Sequence, residues 1–125
     1  MRVHGLGTLR RSAQWVRNRL VQGAVILLYH RISRLPTDPQ LLCVTPGHFA
    51  EHLEILRKDY NPIGLRELSL VYQQGNPPRR AVVVTFDDGY FDNLANAKPL
   101  LERYDIPATV FVTTGYLGRR RECWW

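Results

Sequence analysis

The feature that most restricts the fold is the run Ala81-Val82-Val83-Val84-Thr85-Phe86, which leads directly into Asp87-Asp88-Gly89. It is rich in β-branched residues and shows no alternation of polar with apolar, the pattern of a strand buried on both faces. The continuous apolar run Ala24–Tyr29 has the same character, and so does the stretch over residues 108–112. Helical signals separate them. Thr45-Pro46 gives a helix start, Thr45 as N-cap and Pro46 at the first helical position, with Phe49, Leu53 and Leu56 as the apolar face. Residues 65–74 read as a second helix stopped by Gly75, after a short strand that begins at Ile63. Residues 91–104 read as a third helix, interrupted at Pro99. Pro36 and Pro39 mark a loop after the first strand, and Asn76-Pro77-Pro78 breaks the chain again. Fully apolar strands alternating with helices indicate an α/β fold with a parallel sheet or barrel.

Charge divides the chain differently. The net charge is +6, yet residues 1–37 hold seven arginines and no acid, and the remainder holds ten basic and eleven acidic groups. The nearly neutral body lacks the basic face that nucleic acid would need, so no nucleic-acid partner is expected. Within residues 1–23, Leu6, Leu9, Ala13, Val16 and Leu20 recur at spacings of 3, 4, 3 and 4, which stacks them on one face of a helix with arginines around the rest. A basic amphipathic helix of this kind suits an anionic membrane surface. It equally suits a solvated helix laid against a domain. A cleavable signal peptide is not expected, because the apolar run is short, broken at Gln22-Gly23, and followed by no small-x-small site. The expected location is cytoplasmic or peripheral at the membrane, with the cell envelope as the alternative. No run of 18 apolar residues predicts a transmembrane helix. Cys43 and Cys123 form neither a disulfide framework nor a Cys-x-x-Cys zinc pair.

The chain has 125 residues, where a (β/α) barrel commonly needs roughly 200–250. It stops on Trp124-Trp125, two large apolar side chains that ask for cover. The expected organisation is a basic helix over residues 1–23, then residues 24–125 as the incomplete N-terminal portion of a barrel domain.

Chemistry concentrates at Asp87 and Asp88. Two carboxylates at the C-terminal end of a buried strand lie where parallel α/β folds place their active sites. Adjacent residues leave the strand in different directions, so one carboxylate can bind a metal while its neighbour takes a proton from water. A plainer assignment exists: Asp-Gly is a common turn dipeptide, and the aspartates before it can cap a helix.

Val82-Val83-Val84-Thr85-Phe86-Asp87-Asp88-Gly89-Tyr90 resembles the first motif of the polysaccharide deacetylase (NodB-homology) family of carbohydrate esterases. Leu28-Tyr29-His30-Arg31-Ile32 is similar to the family's opening strand and Tyr-His pair. Val44-Thr45-Pro46-Gly47-His48-Phe49 is similar to the start of its first helix, and Ile106-Pro107-Ala108-Thr109-Val110-Phe111-Val112 to the strand after the catalytic one. The four matches fall in the family's order, and the resemblance covers residues 24–125. The resemblance implies a distorted (β/α) barrel and a metal-dependent enzyme, zinc or a similar divalent ion, that removes acetyl groups from an N-acetylated polysaccharide or oligosaccharide. By position, Asp87 is then the general base and Asp88 a metal ligand. His30, at the end of the first strand, faces the same mouth as a candidate substrate-binding group, or is a satisfied loop histidine.

The departure from the family is its second motif, a His-Ser/Thr-x-x-His pair that supplies two metal ligands, which does not occur in these residues. The later arginine motif and the histidine acid do not occur either. Three ligands cannot be assembled without them, so this stretch alone is expected to bind metal weakly and to lack turnover. Two other classes compete with the deacetylase. His48-Phe49-Ala50-Glu51-His52 has the His-x-x-Glu-His spacing of inverted zinc peptidases, although Phe49 and Leu53 read as core contacts of the same helix. The Arg-rich helix and the missing ligands also suit a lipid- or polymer-binding module without catalysis.

Overall fold

Every residue of one strand, Ala81–Phe86, is buried, and the rest of the fold is arranged around it. The computed structural model describes residues 23–75 and 78–118. In chain order these form β1 (Ala24–Tyr29), β2 (Arg31–Ile32), β3 (Cys43–Val44), α1 (Pro46–Asp59), β4 (Asn61–Pro62), α2 (Leu65–Gln73) and β5 (Ala81–Phe86). A π-helical turn (Asn93–Ala97), α3 (Lys98–Tyr104), β6 (Ala108–Val110) and a 3₁₀ turn (Thr114–Tyr116) complete them. β1 lies parallel along one edge of β5 in full register, Ala24 beside Ala81 through Tyr29 beside Phe86. The other edge of β5 is shared: β4 pairs with its beginning at Ala81 and Val82, and β6 with its end from Val84 to Phe86. All four strands are parallel, as the alternation of apolar runs with helices predicts.

Successive β5 side chains point to opposite faces. Val82, Val84 and Phe86 pack with Phe49, Leu53 and Leu56 of α1 and with Ile32, Ala97 and Ile106. Ala81 and Val83 pack on the other face with Ile63 and with Leu68 of α2. Each of these large side chains gains about 1.5–3 kcal/mol from leaving water. The helix boundaries follow from local chemistry. Thr45 accepts a hydrogen bond at Oγ1 from the His48 N–H at 3.3 Å, with Pro46 at the first position, as expected. Arg57 and Lys58 occupy the last turn of α1, where positive charge complements the helix dipole. Pro99 has no N–H to donate, and its ring crowds the carbonyl four residues back. The chain accommodates it with a wider turn immediately upstream, in which the Lys98 N–H bonds the Asn93 carbonyl, before α3 resumes.

Four expectations need correction. β1 is not buried on both faces: Val25, Ile26 and Leu28 are 46%, 54% and 54% exposed. An apolar run records which side chains avoid water, but not whether the strand is central or at an edge, and among the described residues β1 pairs only with β5. The segment after β1 is not simply a loop. β2 and β3 pair in parallel, Arg31 beside Cys43 and Ile32 beside Val44, and the Asp38 carboxylate holds the return by accepting from the Leu42 and Cys43 N–H groups at 3.0 and 2.9 Å. The strand expected over residues 108–112 ends at Val110, one ladder bond further being supplied by the Phe111 N–H to the Phe86 carbonyl at 2.8 Å. The strand anticipated at Ile63 starts two residues earlier, and Ile63 continues its pairing through its N–H to the Val82 carbonyl.

No helix among the described residues is long and apolar enough to cross a membrane. The basic helix expected up to residue 23 and the Trp124-Trp125 pair lie outside the described residues, Gly23 excepted.

Candidate active site

The parallel register of β1 and β5 brings their C-terminal ends together. The Asp87 N–H donates to the Tyr29 carbonyl at 2.9 Å, extending the ladder one step past Phe86. His30, which follows Tyr29, therefore leaves β1 beside the point where Asp87 leaves β5. Asp87 and Asp88 are both partly exposed there, and neither belongs to the buried core. The chain then turns sharply: Asp88 and Gly89 both take φ of +68°. Two successive positive-φ residues suit Asp-Gly, because aspartate tolerates the left-handed region and glycine meets no steric penalty in it. Gly89 is also close to the chain just after β6, and a Cβ on it would lie 3.2 Å from Val112 Cγ1 and 3.4 Å from Val112 Cα. Beyond it, the Thr113 hydroxyl donates to Asp88 Oδ1 at 3.5 Å, the long end of a hydrogen bond.

A second carboxylate group lies one turn further on, and sequence reasoning missed it. Asp92 is buried, 7% exposed. Its Oδ2 accepts from Arg31 Nε at 3.0 Å, and its Oδ1 from the Ile32 N–H at 2.9 Å and from Asn93 Nδ2 at 3.3 Å. Asn93 Nδ2 also donates to the His30 carbonyl at 2.9 Å, and Asn96 Nδ2 to the Ile32 carbonyl at 2.8 Å. The Arg31 guanidinium lies over the Tyr90 ring, 4.3 Å from its centroid. The available signal was chemical. Arg31 is a basic residue with no acid beside it in sequence, whereas the apolar pattern around Asp92 misleads, because Phe91 and Leu94 are exposed while Asp92 and Asn93 are buried.

His48 and His52 are exposed on the helix whose Phe49, Leu53 and Leu56 are buried. His52 Nδ1 is hydrogen-bonded to the Tyr29 hydroxyl at 3.1 Å, and the Tyr29 ring packs against Phe49 and Phe86. Burial raises the Tyr29 phenol above its ordinary pKa. Among the described residues, no three His, Cys, Asp or Glu side chains converge to hold a metal ion. The carboxylate of Asp88, with its Thr113 partner, has the donor chemistry of one hard oxygen ligand, but the described residues by themselves do not complete a metal site.

The polysaccharide deacetylase family model matches residues 74–123, which include β5 and the Asp87–Asp88 turn. The YxkH protein of Bacillus subtilis (strain 168) is 32% identical over 111 residues, 87% of this chain and 38% of its own length. The poly-β-1,6-N-acetyl-D-glucosamine N-deacetylase of Escherichia coli (strain K12) is 30% identical over 88 residues, 69% of this chain and 13% of its own. The chain thus spans well under half the length of the curated relatives it matches. Among solved structures, IcaB from Ammonifex degensii superposes with a TM-score of 0.71 at 32% identity, covering 82% of this chain and 43% of that one. The Streptococcus pyogenes deacetylase PplD, solved in complex with acetate, gives 0.69 at 28% identity, covering 80% and 47%. The match in sequence and the likeness in fold agree, and the chain belongs to the polysaccharide deacetylase family.

Proposed function

We propose that these residues carry the water-activating part of a metal-dependent N-deacetylase acting on an N-acetylated polysaccharide, a polymer of N-acetylglucosamine being the nearest model. The observation that carries this reading is the Asp87–Asp88 pair at the end of β5, partly exposed, within a segment that the family model matches. The relatives named as poly-β-1,6-N-acetyl-D-glucosamine N-deacetylases, from Escherichia coli and from Staphylococcus aureus, support the substrate class.

The reaction is hydrolysis of an amide. A water oxygen bonds to the acetyl carbonyl carbon, the C–N bond breaks, and acetate and a free amine result. In the proposed assignment the Asp87 carboxylate takes the proton that the attacking water loses. Asp88 would be one oxygen ligand of a divalent ion, zinc or similar, with the Thr113 hydroxyl helping to orient it. When bound, such an ion supplies positive charge where the carbonyl oxygen becomes anionic. His30, whose backbone stands beside Asp87, would contact the sugar at the mouth. The two adjacent carboxylates can divide these tasks because the positive-φ turn at Asp88 sends the chain away from the strand axis immediately after Asp87.

The test uses the protein in its natural sequence context. Asp87→Asn should abolish acetate release from an N-acetylated oligosaccharide while bound metal stays near the wild-type level. Asp88→Asn should lose both activity and metal. Equal metal loss in the two variants would refute the division of roles. A polymer-binding module without catalysis would instead retain the polysaccharide and release no acetate in any variant.

A further inference from the structure

We propose that Asp92 is the positioning residue of this site, acting with Asn93 to fix His30 and the Asp87–Asp88 turn relative to one another. The inference rests on the deacetylase reading for what the turn does, but its geometry stands independently.

The β1–β5 ladder ends at the Asp87 N–H to Tyr29 carbonyl bond, and from His30 onward the chain leaves β5 to pair, as β2, with β3. His30 thus sits at a joint between two sheets, where no strand ladder holds it. The Asp87–Gly89 turn sits at the matching joint between β5 and the helical segment that follows. Asp92 and Asn93 follow the second joint, where the Asn93 N–H bonds the Tyr90 carbonyl, and their side chains reach back to the first. The Asp92 carboxylate accepts from the side chain of Arg31 and from the backbone of Ile32, while the Asn93 amide donates to the His30 carbonyl. Tyr90, directly after the turn, lies under the Arg31 guanidinium. Movement of the turn away from His30 would break these contacts together.

The Asn93 amide shows the same thing. Its Nδ2 faces two acceptors, the His30 carbonyl and Asp92 Oδ1, so the reverse orientation would set oxygen against oxygen. The orientation that remains leaves Asn93 Oδ1 buried with no hydrogen-bond partner among the described residues. A buried acceptor without a partner is unfavourable. The amide is therefore held where it is by its bond to His30, and a residue serving the core alone would be better apolar, as Ala97 is on the next turn. Asp92 likewise is a carboxylate filled by donors from β2, Arg31 Nε and the Ile32 N–H, and from the neighbouring Asn93 amide, and it is absent from the apolar core clusters.

Two measurements test this. The first is amide hydrogen exchange, followed by NMR, on the full 125-residue chain. Asp92→Ala should speed exchange at the Ile32 and Asp87 amides by about tenfold or more, while the Leu53 and Leu56 amides of α1 stay within about twofold. A uniform rise that includes α1 would show Asp92 to be a general stabiliser and overturn the proposal, as would no change at Ile32 and Asp87. The second is acetate release by the protein in its natural sequence context, with Asp92→Asn, which keeps the shape but presents a donor to Arg31. It should lower kcat by about 10- to 100-fold with KM and metal content unchanged. A kcat within about twofold of wild type in that variant would refute the positioning role. A wild-type protein that releases no acetate would refute the deacetylase reading instead, and the exchange measurement would then decide the brace alone.

Discussion

Gly89→Ala tests the turn that shapes the site, and its size can be worked from the structure. Gly89 has φ of +68°, where an L-residue costs about 1–2 kcal/mol more than glycine. The new Cβ would also lie 3.2 Å from Val112 Cγ1, 3.4 Å from Cγ2 and 3.4 Å from Cα. Overpacking of this kind costs about 1–3 kcal/mol, and Val112 is 49% exposed, so its methyls can turn aside and the low end applies. The sum is about 2–3 kcal/mol of lost stability, measured by urea unfolding of residues 1–125. Val112→Ala separates the two contributions, because it removes both methyls and leaves the backbone conformation to be met. In that background Gly89→Ala should cost only about 1–2 kcal/mol, a coupling of about 1 kcal/mol between the two sites. A Gly89→Ala variant within about 0.5 kcal/mol of wild type would refute the strained-turn argument. So would two changes that add without coupling, which would place Val112 out of contact.

Two further outcomes are expected. The Tyr29 phenol is raised by burial, so its folded-state pKa exceeds its unfolded value near 10. Its contribution to stability is full below that value and lost as pH rises through the folded pKa. Urea midpoints measured from about pH 9 to 11 should fall less steeply in Tyr29→Phe than in wild type, and parallel curves would count against it. Residues 1–23 carry five arginines, and roughly 1 kcal/mol per basic residue is available near an anionic surface. Sedimentation with phosphatidylserine-containing vesicles should show binding that weakens sharply with salt, whereas equal partitioning to neutral vesicles would remove the membrane proposal.

Much of the fold was legible where a local signal decides the outcome. The burial of β5 follows from six apolar or β-branched positions without alternation, and the start of α1 from Thr45-Pro46. Pro99 announces an interruption, although not that a π-helical turn absorbs it. What was illegible depends on neighbours. β1 and β5 have nearly the same composition, yet one is half exposed and the other wholly buried, because burial belongs to a strand's place in the sheet. β2 and β3 are two residues each, too short to show any period, and their pairing rests on the Asp38 carboxylate across the loop. Asp92 and Arg31 are 61 residues apart in sequence, so nothing local in either residue announces the pair.

The site itself joins two assignments that looked like alternatives in the sequence. Asp-Gly as a simple turn and Asp-Asp as an adjacent pair of partly exposed carboxylates are here the same geometry. Positive φ at Asp88 and Gly89 is what an Asp-Gly turn requires, and it is also what ends β5 abruptly with both carboxylates partly exposed. What separates this turn from an ordinary one lies upstream. A fully buried strand in register with β1 carries Asp87 to the level of Tyr29, so that His30 emerges beside it. The sequence motif names the two aspartates, but their value as a pair depends on that register. A slip of one residue between β1 and β5 would turn every β5 side chain to the opposite face, exchanging Val82, Val84 and Phe86 for Ala81, Val83 and Thr85 against α1. The packing of Phe86 against Phe49 and Tyr29 therefore protects the proposed site as well as the core, because the side chains that exclude the slipped register are the ones that set Asp87 beside His30.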